Sequence, residues 1–230
     1  MTSDGVAVAR AVRTLAAVMI DHRAELTQLD QEIGDGDHGE NLARGFAAVL
    51  TRVADPDRRA DGAADPAADG APEDPGLPGD VLRLVATTLI STVGGASGPL
   101  LGTAFLRAAT VVGGAAELTP ELVAQALAAA RDGVTARGKA EAGDKTMVDA
   151  LGPAAVAAGA AASAGSDVAQ VLAAAAAAAA AGAQATVVLR ARRGRASYLG
   201  ERSIGHVDPG ARSLAYLLES LAGSAAAAAT

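Results

Sequence analysis

Aromatic side chains make up only 2% of these 230 residues: two Tyr, two Phe and no Trp. A β sandwich relies on aromatic and β-branched side chains to fill its sheets, so their scarcity argues against that fold class. It also removes the platforms on which single-stranded nucleic acid stacks. With a net charge of −7, no basic footprint remains for nucleic acid. Cysteine is absent, which eliminates disulfides and thiolate chemistry. There is no Gly-x-Ser-x-Gly elbow and no His-Glu-x-x-His pair, so hydrolase readings find no support. The opening Met1-Thr-Ser-Asp-Gly5 lacks the basic start of a secretion signal, and the cytoplasm is the expected location.

Half of the chain is hydrophobic by count, much of it alanine. That mix favours helices packed closely through small side chains. The length suits one domain, 1–230, with a well-buried core. Helical spacing appears first at 3–28, through Val8, Val12, Leu15, Val18, Met19 and Leu26. A second helix is expected over roughly 40–54. Residues 55–78 are rich in Pro, Gly, Asp and Ala with almost no large apolar side chain, which predicts a disordered insertion. Asp55 to Pro75 holds seven acids and two bases, so five of the seven net negative charges belong to this one loop.

Helical periodicity resumes at Asp80 and breaks at Gly94-Gly-Ala-Ser-Gly98; Pro99 then opens another helix. Thr119-Pro-Glu signals a helix start, and that helix ends near Arg137-Gly138. Further helices are expected from near Lys145, with a bend at Pro153, from Asp167 to about Arg192, and after Pro209. The pattern gives about eight helices and no convincing strand. Val168 to Leu189 carries no charge and is long enough to span a bilayer. Its nine consecutive alanines and two glutamines suit a buried packed helix instead, so no membrane span is expected.

The stretch with chemistry runs from Leu29 to Arg44. Asp30, Asp35 and Asp37 fall within eight positions, separated by glycines that let the backbone turn sharply. Crowded carboxylates repel one another unless a cation sits among them, and an all-oxygen set suits Mg²⁺. An EF-hand would need Gly and Glu where Glu40 and Phe46 stand. A capping turn would need one Asp, not three. The helix that follows turns its amides and positive dipole end to the same place, so a metal site beside a phosphate site is expected.

Three other segments bear on it. Gly94 to Pro99 has the form of an anion cradle with Ser97 adding a hydroxyl. Gly138 to Thr146 approaches a P-loop, but Asp144 intrudes before Lys145 and no strand precedes it; a lid or nucleotide-contacting loop remains. Arg190, Arg192, Arg193 and Arg195 suit phosphate pairing or a solvated helix end.

In order along the chain, Gly34-Asp-Gly-Asp-His-Gly39, Gly94-Gly-Ala-Ser-Gly-Pro99, Gly143-Asp-Lys-Thr-Met-Val-Asp149, Gly194-Arg-Ala-Ser-Tyr-Leu-Gly200 and Gly205-His-Val-Asp-Pro-Gly210 resemble the nucleotide-binding L subunit of dihydroxyacetone kinases. The resemblance covers nearly everything outside 55–78. It implies an all-α, eight-helix antiparallel up-and-down barrel that holds ADP or ATP at one end through two Mg²⁺ ions. It assigns Asp30, Asp35 and Asp37 as metal ligands and catalytic carboxylates. Nucleotide contacts fall at His38, Gly39, Glu40, Asn41, Ala96, Ser97, Gly138, Met147, Arg195, Asp208, Pro209 and Gly210.

It also implies a phosphotransferase that is inactive alone. The ketose, dihydroxyacetone or a similar short one, sits on a separate K subunit. A phosphotransferase-system protein of M type rephosphorylates a permanently held ADP in one branch; ATP exchanges freely in the other. A free-standing chain leans towards the first, in the setting of glycerol metabolism. A homodimer is left open. The competing readings are a fatty-acid-kinase-like nucleotide domain and, from another class, an alanine-rich metal-binding scaffold.

Overall fold

The computed structural model describes residues 3–57 and 75–229. Among these residues there are helices and connections but no strands. Nine α-helices follow one another: α1 Gly5–Asp21, α2 Arg23–Ile33, α3 His38–Arg52, α4 Pro78–Thr92, α5 Ser97–Val112, α6 Pro120–Gly138, α7 Val148–Ser163, α8 Val168–Ala185 and α9 Pro209–Ala229. Eight of them, all but α2, form the barrel. Each packs on its neighbour in order, and α9 closes the ring on α1. The all-α barrel expected from the sequence is therefore present.

Local chemistry sets several boundaries. Asp4 caps α1 through Ala7 N–H, Thr119 caps α6 through Leu122 N–H, and Asp167 with Gln170 forms a reciprocal capping box on α8. Pro153 lies inside α7 without ending it. The carbonyl it leaves without a donor, that of Asp149, faces Gly182 of α8, where a Cβ would come within 2.3 Å. Around that contact, Ala150, Ala154 and Ala158 of α7 and Ala175, Ala179 and Ala183 of α8 form buried ridges at fourfold spacing. Larger side chains, Phe46, Leu15, Leu42, Leu89 and Leu101, fill the interior from the other walls, with Leu151 from α7. Each such side chain contributes about 1.5–3 kcal/mol on burial.

Three expectations about elements need correction. The helix expected over 3–28 is two, broken at His22. The His22 ring stacks on Tyr216 of α9 (centroids 3.7 Å apart), and Tyr216 donates its hydroxyl to Glu25 Oε2 at 2.6 Å. These contacts turn α2 onto α9 and α3, where it buries only Leu26, Asp30 and Ile33. The helix starts expected at 40, 80 and 99 lie at 38, 78 and 97, and the α7 start lies at Val148. The helix expected to reach Arg192 ends at Ala185, where Thr186 donates its hydroxyl back to Ala183 O. As expected, Val187-Val-Leu189 forms no strand: Val187 and Val188 belong to a 3₁₀ turn over Thr186–Val188.

The uncharged run is α8, which packs between α7 and α9. By length and composition alone it would pass for a membrane span.

Of the insertion expected at 55–78, residues 58–74 lie outside the described residues. Its described ends are tied down: Asp55 pairs with Arg13 at 2.8 Å and Asp57 with Arg10 at 2.6 Å, Leu77 is the N-cap of α4, and Pro78 is its first residue. Those ends lie beside the start of α1, where Gly5 meets Gly76 O and Ser3 O accepts Leu118 N–H. An apolar cavity of about 940 Å³ sits at the same end, lined by Val8, Val12, Leu101, Leu151, Leu214 and Leu218 among others. None of the expected site residues lines it.

Candidate metal and nucleotide site

In an up-and-down barrel, alternate connections emerge at the same end. The end opposite the insertion carries the turns between α2 and α3, α4 and α5, α6 and α7, and α8 and α9. These are the four segments with chemistry.

Asp30 sits in the last turn of α2 and is buried. Its Oδ2 accepts the N–H groups of Asp37 (2.9 Å) and His38 (3.2 Å), which folds the intervening turn back over the helix end. The turn needs Gly36 at φ +76° and Gly34 against Asp30, where a Cβ would lie 2.0 Å from Oδ1. As a result, one carboxylate oxygen each from Asp30, Asp35 and Asp37 lies within 4.8 Å of the others. Asp35 and Asp37 are exposed; Asp30 is not. Three clustered oxygens, with no nitrogen or sulfur among them and two open to solvent, fit a hard divalent cation that keeps several waters, as Mg²⁺ does.

His38 begins α3 and is buried, and burial pushes its pKa down, with Asp30 and Asp37 opposing. Its ring is spent on two serines: Nδ1 lies 3.0 Å from Ser97 Oγ and Nε2 lies 3.1 Å from Ser213 Oγ. Ser213 gives its own proton to Gly210 O at 2.9 Å. The neutral ring therefore donates from Nε2 to Ser213 and accepts from Ser97 at Nδ1. One imidazole thus ties the starts of α3, α5 and α9 together. Gly39 is buried against α2, where a Cβ would lie 2.1 Å from Arg23 O. The Glu40 side chain turns to Arg23, 3.5 Å from Nε. Asn41 is buried; its Oδ1 accepts from Arg44 and lies where a Cβ on Gly94 would approach to 2.9 Å.

Ala96 is the N-cap of α5 and Ser97 its first residue, so the free N–H groups of that helix open at this end. Gly138 ends α6 beside Leu100, and Met147 is buried beside Gly210. Asp208 is buried before α9, accepts Ala211 N–H at 2.7 Å and donates its own N–H to Thr186 Oγ1 at 2.9 Å; Pro209 begins α9. Burial pushes the Asp208 carboxyl up to about 7, against the pull of the Ala211 amide and Lys145. Arg195 places Nε 2.9 Å from Asp35 Oδ2.

The structure thus gathers the residues expected at the site onto one end of the barrel. It also shows residues that motif reading passed over. Lys145, 1% exposed and at φ +62°, reaches Thr186 O at 2.7 Å and also His206 O. It staples the α6–α7 connection to both ends of the α8–α9 connection and does not point outward as a P-loop lysine would. The 138–147 connection is closed by Asp144, which accepts from Glu141 N–H and Arg193, and by Asp149, which accepts from Gly143 and Thr146 N–H. It is a pinned loop. Lys145 lies within Gly143-Asp-Lys-Thr-Met-Val-Asp149, whose spacing marks it, whereas Ser213 and Thr186 carry no sequence signal.

The DAK2 domain family matches residues 32–223. The ADP-binding subunit DhaL of the PEP-dependent dihydroxyacetone kinase of Escherichia coli K12 is 44% identical over 200 residues, 86% of each chain. The ADP-binding subunit DhaL of the PTS-dependent dihydroxyacetone kinase of Lactococcus lactis is 39% identical, over 87% of this chain and 88% of that one. Among solved structures, the dihydroxyacetone kinase of C. freundii in complex with AMP-PNP and Mg²⁺ aligns with a TM-score of 0.65 and 26% identity. That match covers 97% of this chain, which spans about a third (35%) of the larger protein.

Proposed function

This chain belongs to the DAK2-domain family of kinase subunits, and from that premise we propose that it is the nucleotide-holding half of a dihydroxyacetone kinase. The observation that carries the reading is the carboxylate triad: three oxygens within 4.8 Å, on a turn held by Asp30, at the end where the α3 and α5 N-termini open. It holds ADP or ATP there through two Mg²⁺ ions. Asp30, Asp35 and Asp37 hold the metal. Bound there, Mg²⁺ neutralises charge on the phosphate oxygens during transfer.

The chain's own residues position the rest. Asp30, fixed by two amides, keeps the turn from opening. The first amides of α5, at Ala96 and Ser97, favour phosphate. Asn41, Gly138, Met147 and the Asp208–Gly210 turn wall the nucleotide. His38 aligns three helix starts around it. Phosphoryl transfer needs alignment and charge neutralisation more than a protein nucleophile, and this end supplies both. The acceptor hydroxyl, on dihydroxyacetone or a similar short ketose, arrives on a separate K subunit.

ADP serves as a retained cofactor, recharged by an M-type donor fed from phosphoenolpyruvate in the cytoplasm. Relatives that match this chain over nearly their whole length and are named PEP- or PTS-dependent support that branch over freely exchanging ATP.

Calorimetric titration of ADP with and without Mg²⁺ tests the site. Binding should require the metal and be lost in Asp37→Asn, with helix content unchanged. Metal-independent binding, or wild-type affinity in the variant, would remove the assignment. Activity tests the division of labour. The chain alone with ATP, Mg²⁺ and dihydroxyacetone should show no turnover, because a freely diffusing hydroxyl forgoes positioning worth on the order of 7–11 kcal/mol. Adding a K subunit and the phosphoenolpyruvate-fed donor should restore it. Turnover restored by ATP and a K subunit alone would favour the exchanging branch. Robust ketose phosphorylation by the isolated chain would sink the half-kinase reading.

A further inference from the structure

A cation already stands at the carboxylate triad: the guanidinium of Arg195, with Nε 2.9 Å from Asp35 Oδ2. Arg195 opens the 3₁₀ segment Arg195–Ser203, directly after Gly194 in the left-handed region at φ +64°. That segment does not depend on the ion pair for its place. Ala191, Ala196 and Leu199 pack on Ile33 of α2 in a small apolar cluster separate from the main core, and His206 pairs with Glu32 at 2.9 Å. The Arg195 side chain itself is 69% exposed, so it can leave Asp35 without unseating the arm that carries it.

A guanidinium has five N–H donors and no lone pair to offer a metal. Held on the same carboxylate, a divalent ion and the guanidinium stand a few ångströms apart and repel, so each weakens the other's hold on Asp35. We propose that Arg195 is the resident counter-ion of the triad: a divalent cation and Arg195 compete for Asp35, and the displaced guanidinium turns to the phosphates of the bound nucleotide. The inference rests on the metal–nucleotide reading of this site and adds a coupling to it. Metal alone must evict Arg195 with nothing to receive it. Metal with nucleotide gives the same guanidinium a new anionic partner, so each ligand strengthens the other.

The test uses the full chain and Mn²⁺ as the probe, with free ion read by electron paramagnetic resonance, in wild type and Arg195→Gln. Without nucleotide the variant should bind Mn²⁺ about three- to tenfold more tightly. At saturating Mn²⁺ it should bind ADP about tenfold more weakly. A substitution that tightens one ligand and loosens the other is the signature of the exchange. Unchanged Mn²⁺ affinity with weaker ADP would make Arg195 a phosphate contact only. Loss of both affinities would make it structural. Either result overturns the proposal. Mn²⁺ that binds wild type and variant equally, and is lost in Asp35→Asn, would refute the exchange while leaving the metal site intact. Mn²⁺ bound by neither chain would remove the metal site, and this inference with it.

Discussion

Lys145 offers the sharpest way to separate architecture from phosphate binding. Its ammonium donates to Thr186 O at 2.7 Å and to His206 O, within a setting that leaves it 1% exposed. Those two carbonyls belong to the end of α8 and to the turn before α9, whereas Lys145 belongs to the connection before α7. Replacement by Met keeps the volume and removes the donors. Hydrogen bonds from a charged group contribute about 1.5–3 kcal/mol each, so losing both should cost about 3–5 kcal/mol once some relaxation is allowed. For a domain of this size each kcal/mol moves Tm by about 2–4 °C, which places the expected fall near 10 °C. The assay is thermal unfolding of the nucleotide-free protein, followed by circular dichroism. A Tm within about 2 °C of wild type, paired with lost ADP affinity, would show a lysine that serves phosphate and would refute the staple.

Gly34→Ala should abolish metal-dependent ADP binding measured by calorimetry, because its Cβ would stand 2.0 Å from Asp30 Oδ1 and displace the carboxylate that organises the turn; unchanged binding would show that Asp30 is not a ligand. Asp208, about 7 in the folded chain against an ordinary 3.8, binds more protons folded than unfolded between those values. Its favourable contribution should therefore be complete below about pH 4 and lost as pH rises to about 7, at no more than about 1.4 kcal/mol per pH unit. The stability of wild type relative to Asp208→Asn should decline across that window in denaturant titrations, and a flat difference would contradict the shift. Replacing 58–74 by a short Gly/Ser linker should leave Tm within about 2 °C and ADP affinity unchanged, since the composition offers little apolar surface and the flanking residues lie at the far end of the barrel; a large loss of either would show the segment to be packed.

Much of this protein was legible before any coordinates. Alanine-rich periodic segments between glycine and proline breaks could only be helices, because their apolar residues recur at 3.6 spacing and nothing suited a sheet. The carboxylate turn declared itself because Gly34 and Gly36 serve no core. Helical periodicity could not show the break at His22, which depends on a ring stacked on Tyr216 nearly two hundred residues away. Nor could it show that His38 is spent on Ser97 and Ser213, or that Lys145 is buried under two carbonyls. Spacing reports which side chains share a helix face, and it is silent about partners brought in by another helix. The convergence of the four segments is tertiary as well. It follows from the alternation of an up-and-down barrel, which sends every second connection to the same end and carries the described ends of the α3–α4 connection to the other. The residue types came from the chain, but only the closed ring of helices put Asp35 beside Arg195 and set the α3 and α5 N-termini around one charge cluster.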